Sequence, residues 1–196
     1  MIPWNKNKSV GQKKPLTSDQ IQELKNHLSR QDSLRDLALF TFQIDTMLRS
    51  SDVIKLKVED VKDIDDKIKK ELNIQQKKTR KPHIVALSEE TAIILENYIH
   101  MEKLTNWLFP GNKGKHIHYK THWLLWKGWL RVLNEDPSDG GTHSGRRTMA
   151  KIIWDQTKDA KLLRELLGHK DVGSTTHYMG TNKREALDYY KKEFLK

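Results

Sequence analysis

Read from its N-terminus, the chain alternates between two hydrophobic periods, one helical and one extended. Thr17 with Gln20 forms a capping box, and the spacing after it predicts a helix over about 18–29. Leu34, Leu37, Ala38 and Phe42 fall on one face of a second helix, with Arg49 just beyond its end. A short helical stretch through Val53, Ile54 and Leu56 leads to Val58-Glu59-Asp60-Val61. Over 62–87 the pattern changes. Ile68, Leu72 and Ile74, then Ile84, Val85 and Leu87, flank the turn-like Lys77-Lys78-Thr79-Arg80-Lys81-Pro82. This predicts a small antiparallel sheet with a basic hairpin.

Helical spacing then returns. Ser88 with Thr91 opens a helix to about 103. Over 118–133, Trp123, Trp126, Leu130 and Leu133 form one stripe and Leu125, Trp129 and Val132 another, which predicts burial on two sides. Packing favours these tryptophans as core rather than as base-stacking groups. Asp136 to Gly141 reads as a loop. Helices are predicted at about 143–155 and 159–167, where Leu162, Leu163, Leu166 and Leu167 look core-like. A short helix at about 171–177 and a charged one at 183–195 follow. The fold class is therefore mixed, mainly α with a small antiparallel β-sheet. The expected organisation is a flexible basic arm over 1–16, one domain over 17–182, and a C-terminal helix over 183–196.

Composition narrows the function. Lys and Arg number 36 against 26 Asp and Glu, a net charge of +10, which favours a polyanionic partner, nucleic acid first. The absence of cysteine excludes disulfides, thiolate metal sites and cysteine nucleophiles. No signal-peptide h-region follows Met1-Ile2-Pro3-Trp4, and no apolar run approaches the ~18 residues of a membrane span, so a cytoplasmic protein is expected.

Four positions carry chemistry. His143 and Arg146 stand at i, i+3 near a helix start, where an anion is already favoured. His169 follows Leu167-Gly168, and read alone would be a C-capping residue. Tyr178 closes Ser174-Thr175-Thr176-His177-Tyr178. A tyrosine can attack phosphorus, an arginine can hold anionic oxygens, and histidines can move protons near neutral pH. His116, His118 and His122 form a separate array that suits phosphate or groove contact better than zinc, since it has no carboxylate or cysteine beside it.

Together, Thr142-His143-Ser144-Gly145-Arg146-Arg147, Leu167-Gly168-His169 and His177-Tyr178 resemble the C-terminal signature of the tyrosine recombinases, or phage-type integrases. Upstream, Leu48-Arg49-Ser50-Ser51-Asp52 is similar to that family's first arginine box, which usually reads Gly-Leu-Arg; Asp52 would orient the arginine. Lys78, before Thr79, matches the lysine of the family's β-hairpin turn, with Lys77 as competitor. Gly145 departs from the usual apolar residue and is expected to weaken local packing.

The resemblance implies a DNA breaking-rejoining fold and a site of Arg49, Lys78, His143, Arg146, His169 and Tyr178. Tyr178 would cleave double-stranded DNA through a 3′-phosphotyrosyl bond. Arg49 and Arg146 would stabilise charge, Lys78 would protonate the leaving oxygen, His143 would take the tyrosine proton and His169 would donate a hydrogen bond. It implies no metal, no cofactor and no ATP, a nucleoid location, and a homo-oligomer, a tetramer, on DNA. The likeness is to compact members without a separate core-binding domain, which leaves room for an accessory DNA-binding protein. Two alternatives stay open: a non-catalytic DNA-binding regulator, and strand relaxation of the type IB topoisomerase kind.

Overall fold

A computed structural model of the chain describes residues 13–31, 33–77, 80–169 and 175. Its frame is set by α2 (Leu34–Thr46), which buries nine residues, from Leu37 to Ile44 and Thr46. A helix apolar on every side belongs in the middle of a bundle. Accordingly α1 (Ser18–Arg30), α5 (Glu89–Met101) and α7 (Ser144–Thr157) all pack on it. The Thr17–Gln20 capping box forms as its sequence predicts, with Thr17 accepting from the Gln20 N–H and the Gln20 side chain accepting from the Thr17 N–H.

Between α2 and α5 run two single-turn helices, α3 (Ser50–Val53) and α4 (Val58–Val61), and the antiparallel pair β1 (Glu71–Gln75) and β2 (Pro82–Ala86). The register sets Leu72 opposite Val85 and Asn73 opposite Ile84. Leu72, Ile74 and Val85 point inward, whereas Ile84 is exposed: strand alternation turns every second side chain to solvent, whatever its polarity. Lys78 and Thr79, at the hairpin turn, lie outside the described residues.

The tryptophan helix is α6 (Tyr119–Val132), N-capped by His118. Trp126 and Trp129 are core residues in edge contact with each other and with Phe40. Trp123 departs from the expectation and stands 40% exposed, with the Lys127 ammonium over its ring. In α8 (Ala160–Leu167) only Leu163 and Leu167 are buried, in a small second cluster with Met47 and Ala150; Leu162 and Leu166 face outward. One i, i+4 stripe is all that a short helix lying on the surface can cover.

Residues 13–16 are held in place. Leu16 is buried and its N–H donates to Thr148 Oγ1 on α7 at 2.9 Å, while the Lys14 N–H donates to the Asp139 carbonyl at 2.8 Å. The predicted helices at 171–177 and 183–195 lie outside the described residues, except for Thr175. No helix among the described residues is long and apolar enough to cross a membrane.

Candidate active site

The centre of the site is Arg146, in the first turn of α7, with no exposed surface. A guanidinium is not left bare in a protein interior, because an unpaired buried charge is costly. Here it donates to the backbone carbonyl of Met47, and at 2.6 Å to that of Leu167, and its Nη2 lies 3.0 Å from His169 Nε2. Three segments distant in sequence therefore meet on one side chain.

Each partner is presented by a helix end. Met47 ends α2 in the left-handed conformation, at φ 50° and ψ 20°. That conformation favours glycine, the residue usual at this place in the first arginine box. Met47 keeps its side chain in the cluster with Leu163 and Leu167, which offsets the backbone cost. Gly168 ends α8 at φ 61°, and the N–H groups of Gly168 and His169 close the helix on the carbonyls of Glu165 and Arg164. His169 thus caps α8 with its backbone and leaves its ring for Arg146.

The proton on that ring follows from its neighbours. Arginine only donates, so His169 Nε2 accepts and carries no proton. The proton of the neutral ring is on Nδ1, 3.0 Å from Thr175 Oγ1. Thr175, buried within the Ser-Thr-Thr tract before Tyr178, was not singled out from sequence.

Arg49 stands at the N-cap of α3, half-buried, and donates to Gln76 Oε1 at 2.9 Å. Asp52, expected to orient the arginine, makes no direct hydrogen bond or ion pair with it. Its Oδ1 accepts the Lys77 backbone N–H at 3.0 Å, so it reaches Arg49 only through the hairpin. Its Oδ2 is buried with no hydrogen-bond partner among the described residues. Lys77 lines a pocket with Asp52, Lys55 and Gln75, and the hydrogen bond and charge of Lys77 lower the pKa of Lys55. The next residue inward, Gln76, lines a different pocket, with His83, Gly168 and His169.

The stretch from Thr142 to Arg146 is braced from behind. Gln43, buried on α2, donates to the Thr142 carbonyl at 2.7 Å and accepts from Trp126 Nε1 at 3.0 Å. Gly145 lies where a Cβ would come within 3.1 Å of Trp126 Cζ2 and 3.2 Å of Gln43 Cγ. The expectation that Gly145 loosens packing is therefore reversed, since glycine lets α7 approach α2 and α6 closely. His143 takes the N-cap of α7 and is exposed, so it and Arg146 occupy opposite environments despite their i, i+3 spacing. Lys78 and Tyr178 lie outside the described residues.

The three-histidine array does not converge. The His116 ring bonds the Ile117 carbonyl, His118 caps α6, and His122 is buried with Nδ1 2.6 Å from Ser50 Oγ. Burial lowers the pKa of His122 to about 4. A groove contact is thus ruled out for His122 by its burial, and its ring instead braces Ser50 at the start of α3. Among the described residues no His, Cys, Asp and Glu cluster has the makings of a metal site.

The architecture is shared with solved recombinases. It matches the XerA recombinase with a TM-score of 0.74 at 21% identity, covering 94% of this chain and 66% of that one. It also matches XerH bound to its difH substrate in a pre-cleavage complex, with a TM-score of 0.72 at 17% identity, over 94% of this chain and 56% of that one. In sequence it is 27% identical to a tyrosine recombinase of Thermosipho africanus over 177 residues, 90% of this chain but 60% of the relative. The probable integrase/recombinase YoeC of Bacillus subtilis is 28% identical over 178 residues, 88% of this chain and 92% of the relative. The profile of the phage integrase family matches residues 14–185, and the chain belongs to that family.

Proposed function

We propose that this chain is a site-specific DNA recombinase that cuts and rejoins strands through a 3′-phosphotyrosyl intermediate. The observation that carries the reading is the convergence on Arg146: the chain just before Leu48-Arg49 supplies the Met47 carbonyl, and Leu167-Gly168-His169 supplies the Leu167 carbonyl and the His169 ring. A guanidinium fixed in this way is preorganised for the charge that develops on a phosphodiester as it becomes pentacoordinate.

In the proposed reaction, Tyr178 Oη attacks phosphorus in line while the bond to the 5′-oxygen breaks. Arg49 and Arg146 stabilise the non-bridging oxygens. Lys78 gives its proton to the leaving 5′-oxygen, and His143, exposed at the start of α7, takes the tyrosine proton. Lys77 lies on the side of Lys55 and Asp52, away from the pocket that Gln76 shares with His169, which counts against Lys77 as the proton donor. For His169 to donate to phosphate, its proton must move from Nδ1 to Nε2, and the Arg146 contact must pass to the phosphate. A free 5′-hydroxyl then reverses the step, and the ester energy is kept in the phosphotyrosine without metal or ATP.

The partner in this reading is double-stranded DNA, with copies of the chain assembled on it as a homo-oligomer. The charge of +10 supports such a partner, and XerH is a relative in fold bound to its own DNA substrate. A nicked suicide duplex made from DNA flanking the gene tests the chemistry. The wild-type chain is expected to form a covalent protein–DNA adduct, and Tyr178→Phe to bind the duplex and form none. An adduct that persists in Tyr178→Phe would sink the assignment.

A further inference from the structure

The hairpin and the end of α8 touch at a point that the proposed reaction does not use. A Cβ on Gly168 would lie 2.8 Å from Gln76 Nε2 and 2.9 Å from His83 Nδ1, so the backbone there is pressed against both side chains. Gly168 is glycine for two reasons, its φ of 61° and this approach. His83 sits on β2 opposite Ile74 and makes a backbone hydrogen bond with Leu166. Its Nε2 is buried with no partner among the described residues, which leaves Nδ1 as the nitrogen that donates to the Leu166 carbonyl.

The neighbours of this joint are the groups of the site. On the hairpin, Gln76 accepts from Arg49. On the α8 side, Leu167 accepts from Arg146, and His169 directly follows Gly168. We propose that His83 is a further positioning residue for strand transfer, fastening the β1–β2 hairpin to the end of α8 so that Arg49 and the hairpin turn stay in register with Arg146 and His169. The proposal rests on the recombinase reading.

The electrostatics agree with a neutral ring. Burial lowers the pKa of His83, the charge of Arg146 and then that of Arg49 add to this, and the Leu166 bond and Asp52 oppose it. Glu165 and Lys81 line the same pocket. A neutral imidazole donates one bond without adding a third cation beside two arginines. Asparagine can imitate that single donor, because its Nδ2 occupies roughly the place of a histidine Nδ1.

The test uses the full chain, with hydrogen exchange and single-turnover cleavage of the suicide duplex read together. Misplacing reacting groups by about an ångström costs on the order of 10²-fold, so His83→Ala is expected to slow adduct formation by up to about that factor with DNA affinity unchanged. Exchange of the Gln76 and Lys77 amides, bonded to the Lys81 carbonyl and to Asp52, is expected to quicken about tenfold while amides of α2 hold. His83→Asn is expected to recover both. The proposal is overturned if His83→Ala leaves the hairpin amides unchanged, if α2 exchange rises in step, or if His83→Asn behaves like His83→Ala. Absence of any adduct from the wild-type chain overturns the recombinase reading instead, and hydrogen exchange still decides the role of His83.

Discussion

The two arginines of the site are held in contrasting ways. Arg146 is sealed in the protein and bonded to carbonyls at the ends of two helices, so its position follows from the packing of α2, α7 and α8. Arg49 is half-buried and its bond goes to Gln76 on a two-stranded hairpin, itself tied down through Asp52. The strands carry Leu72, Ile74 and Val85 into the core, but Gln76 lies beyond the last paired residue, Gln75, so the end that meets Arg49 depends on a few side-chain contacts. One half of the site is therefore built into the core, and the other is attached to it.

Replacing Arg146 is the strongest way to break this contrast. Arg146→Lys keeps a charge but loses the fork that spans two carbonyls, and cleavage of the suicide duplex is expected to fall by about 10²–10³. A smaller loss than that of a hairpin variant would show that the core half is not dominant.

Acidification probes the core half through His122. Its unfolded pKa is the ordinary 6.5 and its folded pKa about 4, so the unfolded state takes up the proton first. Stability is complete above about pH 6.5 and falls as pH drops toward 4, by roughly 3 kcal/mol. Denaturant titrations across that range should show the loss in the wild type and a flatter profile in His122→Asn.

Gly145→Ala is expected to cost about 1–2 kcal/mol, because the new Cβ meets Trp126 and Gln43, both buried and hydrogen-bonded to each other. Thermal unfolding measures it, and a gain in stability would show that α7 has room to shift.

The smallest effect on stability is expected from Asp52→Ala. The lost bond to Lys77 N–H is worth about 1.5–3 kcal/mol, but a buried oxygen without a partner is removed at a similar gain. Global stability should change by about 1 kcal/mol or less, with faster exchange of the Lys77 amide. A large global loss would place the hairpin within the core half after all.

Much of this was legible in the sequence. The capping box at Thr17, the period of two over Leu72 and Ile74 and, apart from Trp123, the double stripe of α6 each state a local preference that the tertiary structure honours. Such signals are short-range, so one stretch of chain contains them whole. Trp123, Ile84, Leu162 and Leu166 were not legible in the same way, since an apolar residue is buried only if something lies over it.

The site divides along the same line. The order and types of His143, Arg146, His169 and Tyr178, with Arg49 upstream, are properties of the sequence, and they are what raised the expectation of phosphoryl transfer. Their partners are properties of the fold. That Arg146 binds the Met47 and Leu167 carbonyls, that Asp52 serves the hairpin rather than Arg49, that Gly145 is a point of close approach, and that His83 meets Gly168 all depend on helix ends from distant segments. The sequence by itself determined which groups are present. Only the tertiary structure decided which of them touch, because a contact between distant residues depends on how the elements between them pack.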